Sequence, residues 1–261
     1  AELPKGPRIT DYISLGVLSK TIPLETVDRV LERTGKESQR QRDLPAHVVV
    51  YYVLCLGLFM QVSYREVLRC LLEGITWLNP GMEVKVAGKS GISQARTRLG
   101  SGPVKELHDE LVKPIATRDT KGAWYRRWRL VTLDGSTMET ADNQENEKAF
   151  GRQEAGRGKS GFPQLRFVSL VESGTHVLFG TEMADYHTGE ITLAKVVIPH
   201  LEPGMLCLAD RNFFGYAMWH QAQQTGAALR KAFARRFLPE PYLCLGARPA
   251  SRQWREHSPC G

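Results

Sequence analysis

The sequence predicts an α/β protein in which an all-helical N-terminal domain, residues 1–120, precedes a mixed sheet flanked by helices, residues 121–233. Three observations carry this. Up to about residue 120 the apolar residues recur at the spacing of one helix face. From Trp124 onward they fall in short runs rich in β-branched and aromatic residues, the composition of strands. The order of these later segments, β-β-β-α-β-α-β, is that of a mixed sheet with helices packed on it.

In the first part, PLETVDRVLERTG predicts a helix that stops at Gly35, and a second helix over 44–62 starts behind Asp43 and Pro45. SYREVLRCLLEG predicts a third, with Ser63 and Glu66 as a capping box and Gly74 as its stop. GISQARTRLG and PVKELHDELVKPIA complete the set; Leu107, Leu111 and Ile115 share one face of the last, and Pro114 kinks or ends it.

In the second part, RWRLVTLDGSTM, QLRFVSLVES and HVLFGTEMADY predict three strands, the last two joined by a turn at Ser173-Gly174-Thr175. GEITLAKVVIPHL predicts a helix, MLCLADRNF a fourth strand, GYAMWHQAQQTG a helix and AALRKAF a fifth strand. A right-handed crossover brings the fourth strand back parallel beside the first. Between the first two strands lies a long, polar, glycine-rich loop in which Arg152, Arg157 and Lys159 sit among glycines, a composition that fits phosphate contacts and equally fits a flexible surface loop.

The formal net charge is +7, and the eleven basic and four acidic residues between Lys85 and Val131 account for all of it. A polyanionic partner and a solvated basic helix surface both fit that balance. Five cysteines with no C-x-x-C or Cys/His spacing point to a reduced, cytoplasmic protein with no structural metal. No secretory pattern opens the sequence, and the longest apolar run, residues 48–60, is too short for the roughly twenty residues that span a bilayer. The seven histidines form no ligand spacing, and Trp124, Trp128 and Trp219 are read as core or interface residues.

Two acids stand out. Asp134 follows Leu130, Val131 and Leu133; Asp210 follows the apolar run Leu206–Ala209 and is itself followed by Arg211 and Asn212. If the two strands are neighbours, the acids end side by side at one rim of the sheet. Adjacent carboxylates repel unless protonated or bridged by a cation, and Mg²⁺ suits oxygen ligands. A cation-bridged pair and two solvent-facing acids are both open on this pattern.

Read together, LPAHVVVYYVLCLGLFMQVSYREVLRCLLEG, SQARTRLG, LVTLDGSTM, NEKAFG and LADRNFF resemble the insertion-sequence-four-type transposases, members of the DDE superfamily, over roughly residues 7–230. The resemblance implies a ribonuclease-H-like sheet and cut-and-paste transposition with two Mg²⁺ (or Mn²⁺) ions held by an Asp, Asp, Glu triad. Asp134 carries over as the first acid and Asp210 as the second, both catalytic and metal-binding. The implied partner is double-stranded DNA, as terminal inverted repeats and target, bound by a homodimer at the bacterial nucleoid. Arg96, Arg98, Arg152, Arg157, Lys159, Arg211 and Asn212 are the expected DNA contacts.

The family's third acid belongs to a Tyr, Arg, Glu, Lys signature that is not found here. Arg252 and Glu256 have the Arg-to-Glu spacing, but Pro249 stands where Tyr belongs. Residues 234–261 lose all periodicity, and the expectation is an out-of-frame or disordered tail after a disruption near Arg230. A truncated, catalytically impaired transposase follows; the competing readings are a non-catalytic repressor that occupies DNA ends and a general ribonuclease-H-like nuclease.

Overall fold

The computed structural model describes residues 15–38, 44–59, 61–78, 89–155, 158–159, 161–213 and 215–231. Arg157 and the expected atypical tail at 234–261 lie outside these residues. Two compact units divide the chain between Val112 and Lys113.

In the first unit the described elements are helices: α1 (Leu15–Thr21), α2 (Leu24–Arg33), α3 (Ala46–Leu58), α4 (Tyr64–Leu78), α5 (Lys89–Leu99) and α6 (Gly102–Leu111). Their apolar spacing builds one core. Val27, Val30 and Leu31 of α2, Val67, Leu68, Leu71 and Leu72 of α4, and Ile92, Ala95 and Leu99 of α5 are all buried, each set at helical spacing. Helix α3 buries Val48–Tyr52 and Cys55, and Tyr51 Oη, inside this core, donates to the Ile22 carbonyl at 2.7 Å. At the end of α2, Gly35 adopts φ 63°, while the amides of Lys36 and Gly35 donate to the carbonyls of Leu31 and Glu32. This is the paired closure for which a C-terminal glycine is favoured.

Three expectations need correction here. Helix α4 runs through Gly74 to Leu78; an interior glycine costs only about 1 kcal/mol against alanine, too little to end a helix by itself. Of the capping box, the Ser63 hydroxyl does accept from the Glu66 amide, but the Glu66 carboxylate turns to Arg69. Helix α6 ends at Leu111, before Pro114, and Ile115 is 67% exposed rather than on a buried face.

The second unit is a mixed α/β assembly. Its elements are β1 (Trp124–Tyr125), β2 (Trp128–Glu139), α7 (Gln144–Phe150), β3 (Glu154–Ala155), β4 (Gly158–Lys159), β5 (Gln164–Glu172), β6 (Leu178–Asp185), α8 (Glu190–Val197), β7 (Met205–Ala209), α9 (Tyr216–Gln224) and β8 (Ala228–Lys231). The main sheet has the order β6-β5-β2-β7-β8, with β1 paired to β2. Strands β2, β5 and β6 are antiparallel neighbours, whereas β7 lies parallel to β2 and β8 parallel to β7. The expected long loop between the first two strands contains α7, started by Asn143, whose side chain accepts from the Asn146 amide at 2.8 Å. A short polar helix was hidden because it buries no residue and so carries no apolar period.

Glu172, at the end of β5, is fully buried. Its carboxylate accepts from the amides of Ile115 and Ala116, both at 2.9 Å, from the Thr175 hydroxyl at 2.6 Å, and from the Arg129 guanidinium. Burial by itself would push this carboxyl up; the combined bonds from Thr175, the two amides and Arg129 outweigh it and hold the group below the ordinary glutamate value. Burial also pushes the Cys55 and Cys207 thiols up, to about 11 and about 12, so neither is a nucleophile at neutral pH. Among the described residues no helix is long and apolar enough to cross a membrane.

A carboxyl depressed on folding stabilises the fold above its ordinary pKa, and that contribution is lost as pH falls through the folded value. Glu172→Ala should lower the free energy of unfolding at pH 7 by about 3 kcal/mol, because Arg129 and two amides lose their partner. Denaturant melts of parent and variant should converge as the pH drops below the ordinary glutamate range.

Candidate active site

Strands β2 and β7 run in register from Arg129 opposite Met205 to Leu133 opposite Ala209. The next position on each chain is an aspartate, Asp134 and Asp210. Neighbouring strands lie about 4.8 Å apart, so this register brings the two acids to the same point along the sheet. Alternation explains their exposure: Val131 and Leu133 are buried, and Asp134, one step on, is exposed. Asp134 does not end its strand, as the sequence implied. Strand β2 continues five residues beyond it, paired with β5 alone out to Glu139 opposite Gln164. What ends at this level is the parallel partner.

Strand β7 stops because Asp210 begins a tight 3-10 turn. Its carbonyl accepts from the Phe213 amide at 3.1 Å, and its side chain accepts from the Arg211 amide at 2.5 Å. Phe213 is buried in an apolar hollow with Leu133, Ala209 and Met218, which anchors the turn under the sheet. Asp134 Oδ1 accepts from the Gly135 amide at 2.9 Å. Neither aspartate takes part in a salt bridge among the described residues, and each offers oxygen donors at this level of the sheet. That donor set fits a hard divalent cation.

Two further residues close this rim, and the sequence reading missed both. Glu190 is the first residue of α8, and its Oε2 accepts from Asn212 Nδ2 at 3.1 Å. A Cβ built on Gly135 would lie 3.1 Å from Glu190 Cδ, so glycine at 135 leaves room for that side chain. Glu190 therefore touches the residue after Asp134 and the turn after Asp210. The available signal was Gly135 itself, since glycine inside a strand marks a close approach. Glu190 gave none, because an acid at a helix start is ordinary. Among the described residues no group of three or more His, Cys, Asp or Glu is arranged to hold a metal ion.

The other expected site residues are dispersed. Arg211 and Asn212 share the rim with the aspartates, and both are exposed. Arg96 and Arg98 belong to α5 in the first unit, both exposed, with Arg96 over the Tyr64 ring at 5.5 Å. Arg152 is 13% exposed and is taken up by Asp142, by Glu147 at 3.2 Å and by the Gly161 carbonyl at 2.6 Å; its charge braces the loop that holds α7. Lys159 lies in β4.

Phe213→Ala should lower stability by about 3 kcal/mol, the usual cost of removing a buried aromatic side chain. Asn212→Ala, which breaks an exposed hydrogen bond, should cost about 1 kcal/mol or less. Urea unfolding of both variants checks the ranking.

Known proteins similar to this chain are transposases. Residues 12–109 match the family model described as insertion element 4 transposase N-terminal. The chain is 24% identical over 215 residues to putative transposase InsZ of Escherichia coli (strain K12), an alignment covering 82% of this chain and 69% of that protein. It is 26% identical over 194 residues to transposase InsG for insertion sequence element IS4 of the same organism, covering 74% of this chain and 42% of InsG. With its helical region matched by that model and most of its length aligned to two such proteins, the chain is similar to transposases of the insertion-sequence-four type.

Proposed function

We propose that the second unit is a ribonuclease-H-like catalytic domain that cuts and joins DNA ends, with Asp134 and Asp210 as ligands for Mg²⁺ or Mn²⁺. The observation that carries this reading is the shared register position of the two aspartates at the end of β7. A parallel pair at the sheet centre, flanked by the antiparallel β2-β5-β6 meander, supports the fold assignment. Divalent ions bound there supply activation of the attacking water or 3′-hydroxyl and charge neutralisation at the leaving oxygen. Asp134 and Asp210 would hold the ions by their free carboxylate oxygens. Glu190, through Asn212 and against Gly135, keeps the turn after Asp210 close to β2. Arg211, which has no salt-bridge partner among the described residues, is free to meet a DNA phosphate beside the acids. Exposed Arg96 and Arg98 of the first unit are proposed as contacts to the terminal inverted repeats, on DNA ends paired by a homodimer.

A second reading, occupation of DNA ends without strand transfer, is favoured by one observation. Among the described residues the acids offer a pair and not a set of three. Two-metal chemistry held by two acids positions its ions poorly, and this polypeptide alone is expected to give little or no excision.

Both readings meet in one experiment. The full chain is incubated with a supercoiled plasmid carrying the matching element ends, in Mg²⁺, in Mn²⁺ and in EDTA. End binding that persists in EDTA, with Mn²⁺ affinity at least about tenfold weaker in Asp134→Asn and Asp210→Asn, supports metal binding by the pair, since losing one charged ligand costs more than about 1.4 kcal/mol. Efficient excision by the parent chain would overturn the impaired reading, and unchanged Mn²⁺ affinity in both variants would overturn the catalytic one.

A further inference from the structure

The basic excess found in the sequence between Lys85 and Val131 is not spread evenly over a helix surface. Six of its cations belong to the second unit, and five of them, Arg118, Lys121, Arg126, Arg127 and Arg129, fall in or just before the β1–β2 hairpin. Arg129 is consumed by Glu172. The other four are exposed and have no salt bridge among the described residues, with Asp119 the one acid in their stretch.

Aromatic rings hold three of the guanidinium groups. Arg118 lies 3.9 Å from the Trp124 ring centroid, Arg127 5.0 Å from that of Trp128, and Arg126 5.5 Å from that of Tyr125. Trp124 is itself pinned, its indole N–H donating to the Thr117 carbonyl at 2.7 Å and Arg129 lying over its ring at 4.8 Å. A guanidinium stacked on a fixed ring has lost side-chain freedom before any ligand arrives, and its planar fork matches phosphate oxygens. The hairpin tip adds a further mark. Tyr125 pairs with Trp128, so Arg126 and Arg127 form a two-residue loop, and Arg126 has φ 55°. Glycine or asparagine relaxes that conformation, whereas another L-residue costs about 1–2 kcal/mol there.

We infer that the β1–β2 hairpin, through Arg118, Lys121, Arg126 and Arg127, is a sequence-independent contact for the phosphate backbone of duplex DNA, separate from the acid pair. This rests on the proposed DNA substrate. The tip lies at the start of β2, whose first residue, Trp128, is six residues or about 20 Å before Asp134 at the rise of a strand. A duplex lying along β2 would reach both, with the hairpin gripping DNA about six base pairs from the reacting end at 3.4 Å per step.

The test uses the full chain and a fluorescein-labelled duplex of arbitrary sequence, titrated in EDTA across a salt series so that cutting plays no part. Arg126→Gly relieves the left-handed residue and removes one cation. Its thermal midpoint should equal or exceed the parent's, while the slope of log affinity against log salt falls by about 1. Adding Arg127→Gln should lower the slope by about 2 in all and the affinity at least tenfold at moderate salt, where two phosphate contacts are worth about that. Replacing both by lysine should restore most of the slope. Lys195→Gln, an exposed cation on α8, should leave binding unchanged. Equal affinity and slope in parent and hairpin variants overturn the inference while leaving the proposed function standing. So does a loss in Lys195→Gln as large as that in Arg126→Gly, which would mean diffuse charge. A parent chain that binds no duplex overturns both.

Discussion

The register between β2 and β7 is the constraint on which the rest of the second unit depends. Side chains alternate along a strand with a period of two, so slipping either strand by one residue turns its apolar set to the wrong face. Here that penalty falls on β2, where Val131 and Leu133 are buried and Asp134 is exposed; β7, with Met205, Leu206 and Cys207 buried in succession, is covered on both faces. The same pairing carries its influence past its last hydrogen bond, because the position beyond Leu133 and Ala209 is where both acids fall. No contact between the aspartates is needed to hold them there; the apolar residues behind them do it.

Much of this was readable from one sequence. Long periodic helices and β-branched runs are strong local signals, and the strand-helix-strand order announced the parallel pairing. The losses have physical causes. Asp134 looked like a strand end because the apolar run stops there, yet β2 continues through Gly135–Glu139, held by β5 on one edge while its side chains stay largely open to solvent. Polar strand residues give no hydrophobic pattern to follow. Gly74 was read as a stop because glycine often is one, but its cost is smaller than what the turns on either side of it gain. Glu190 could not be seen at all. Its position depends on a helix that returns across the sheet, and no spacing in sequence encodes that meeting.

Charge, too, is a poor guide until its partners are known. Arg29 and Arg33 of α2 are paired with Glu106 and Glu110 of α6, at 2.5–2.6 Å. These surface pairs are screened by solvent and add little to stability, but they also remove cations from the total that a polyanion would meet. Arg152 looked like a phosphate ligand in a glycine-rich loop and is instead the tie that closes that loop. The raw excess of positive charge therefore overstates some regions and understates others. At β1–β2, rings rather than carboxylates hold Arg118, Arg126 and Arg127, and their charge stays available.

Glu172 makes the beginning of the second unit something other than a loose entry into a sheet. The amides of Ile115 and Ala116 are fastened to a side chain that projects from β5 directly opposite Val131 of β2. The lead-in is thereby tied to the middle of the sheet by a side chain before the backbone pairs at the short β1 strand.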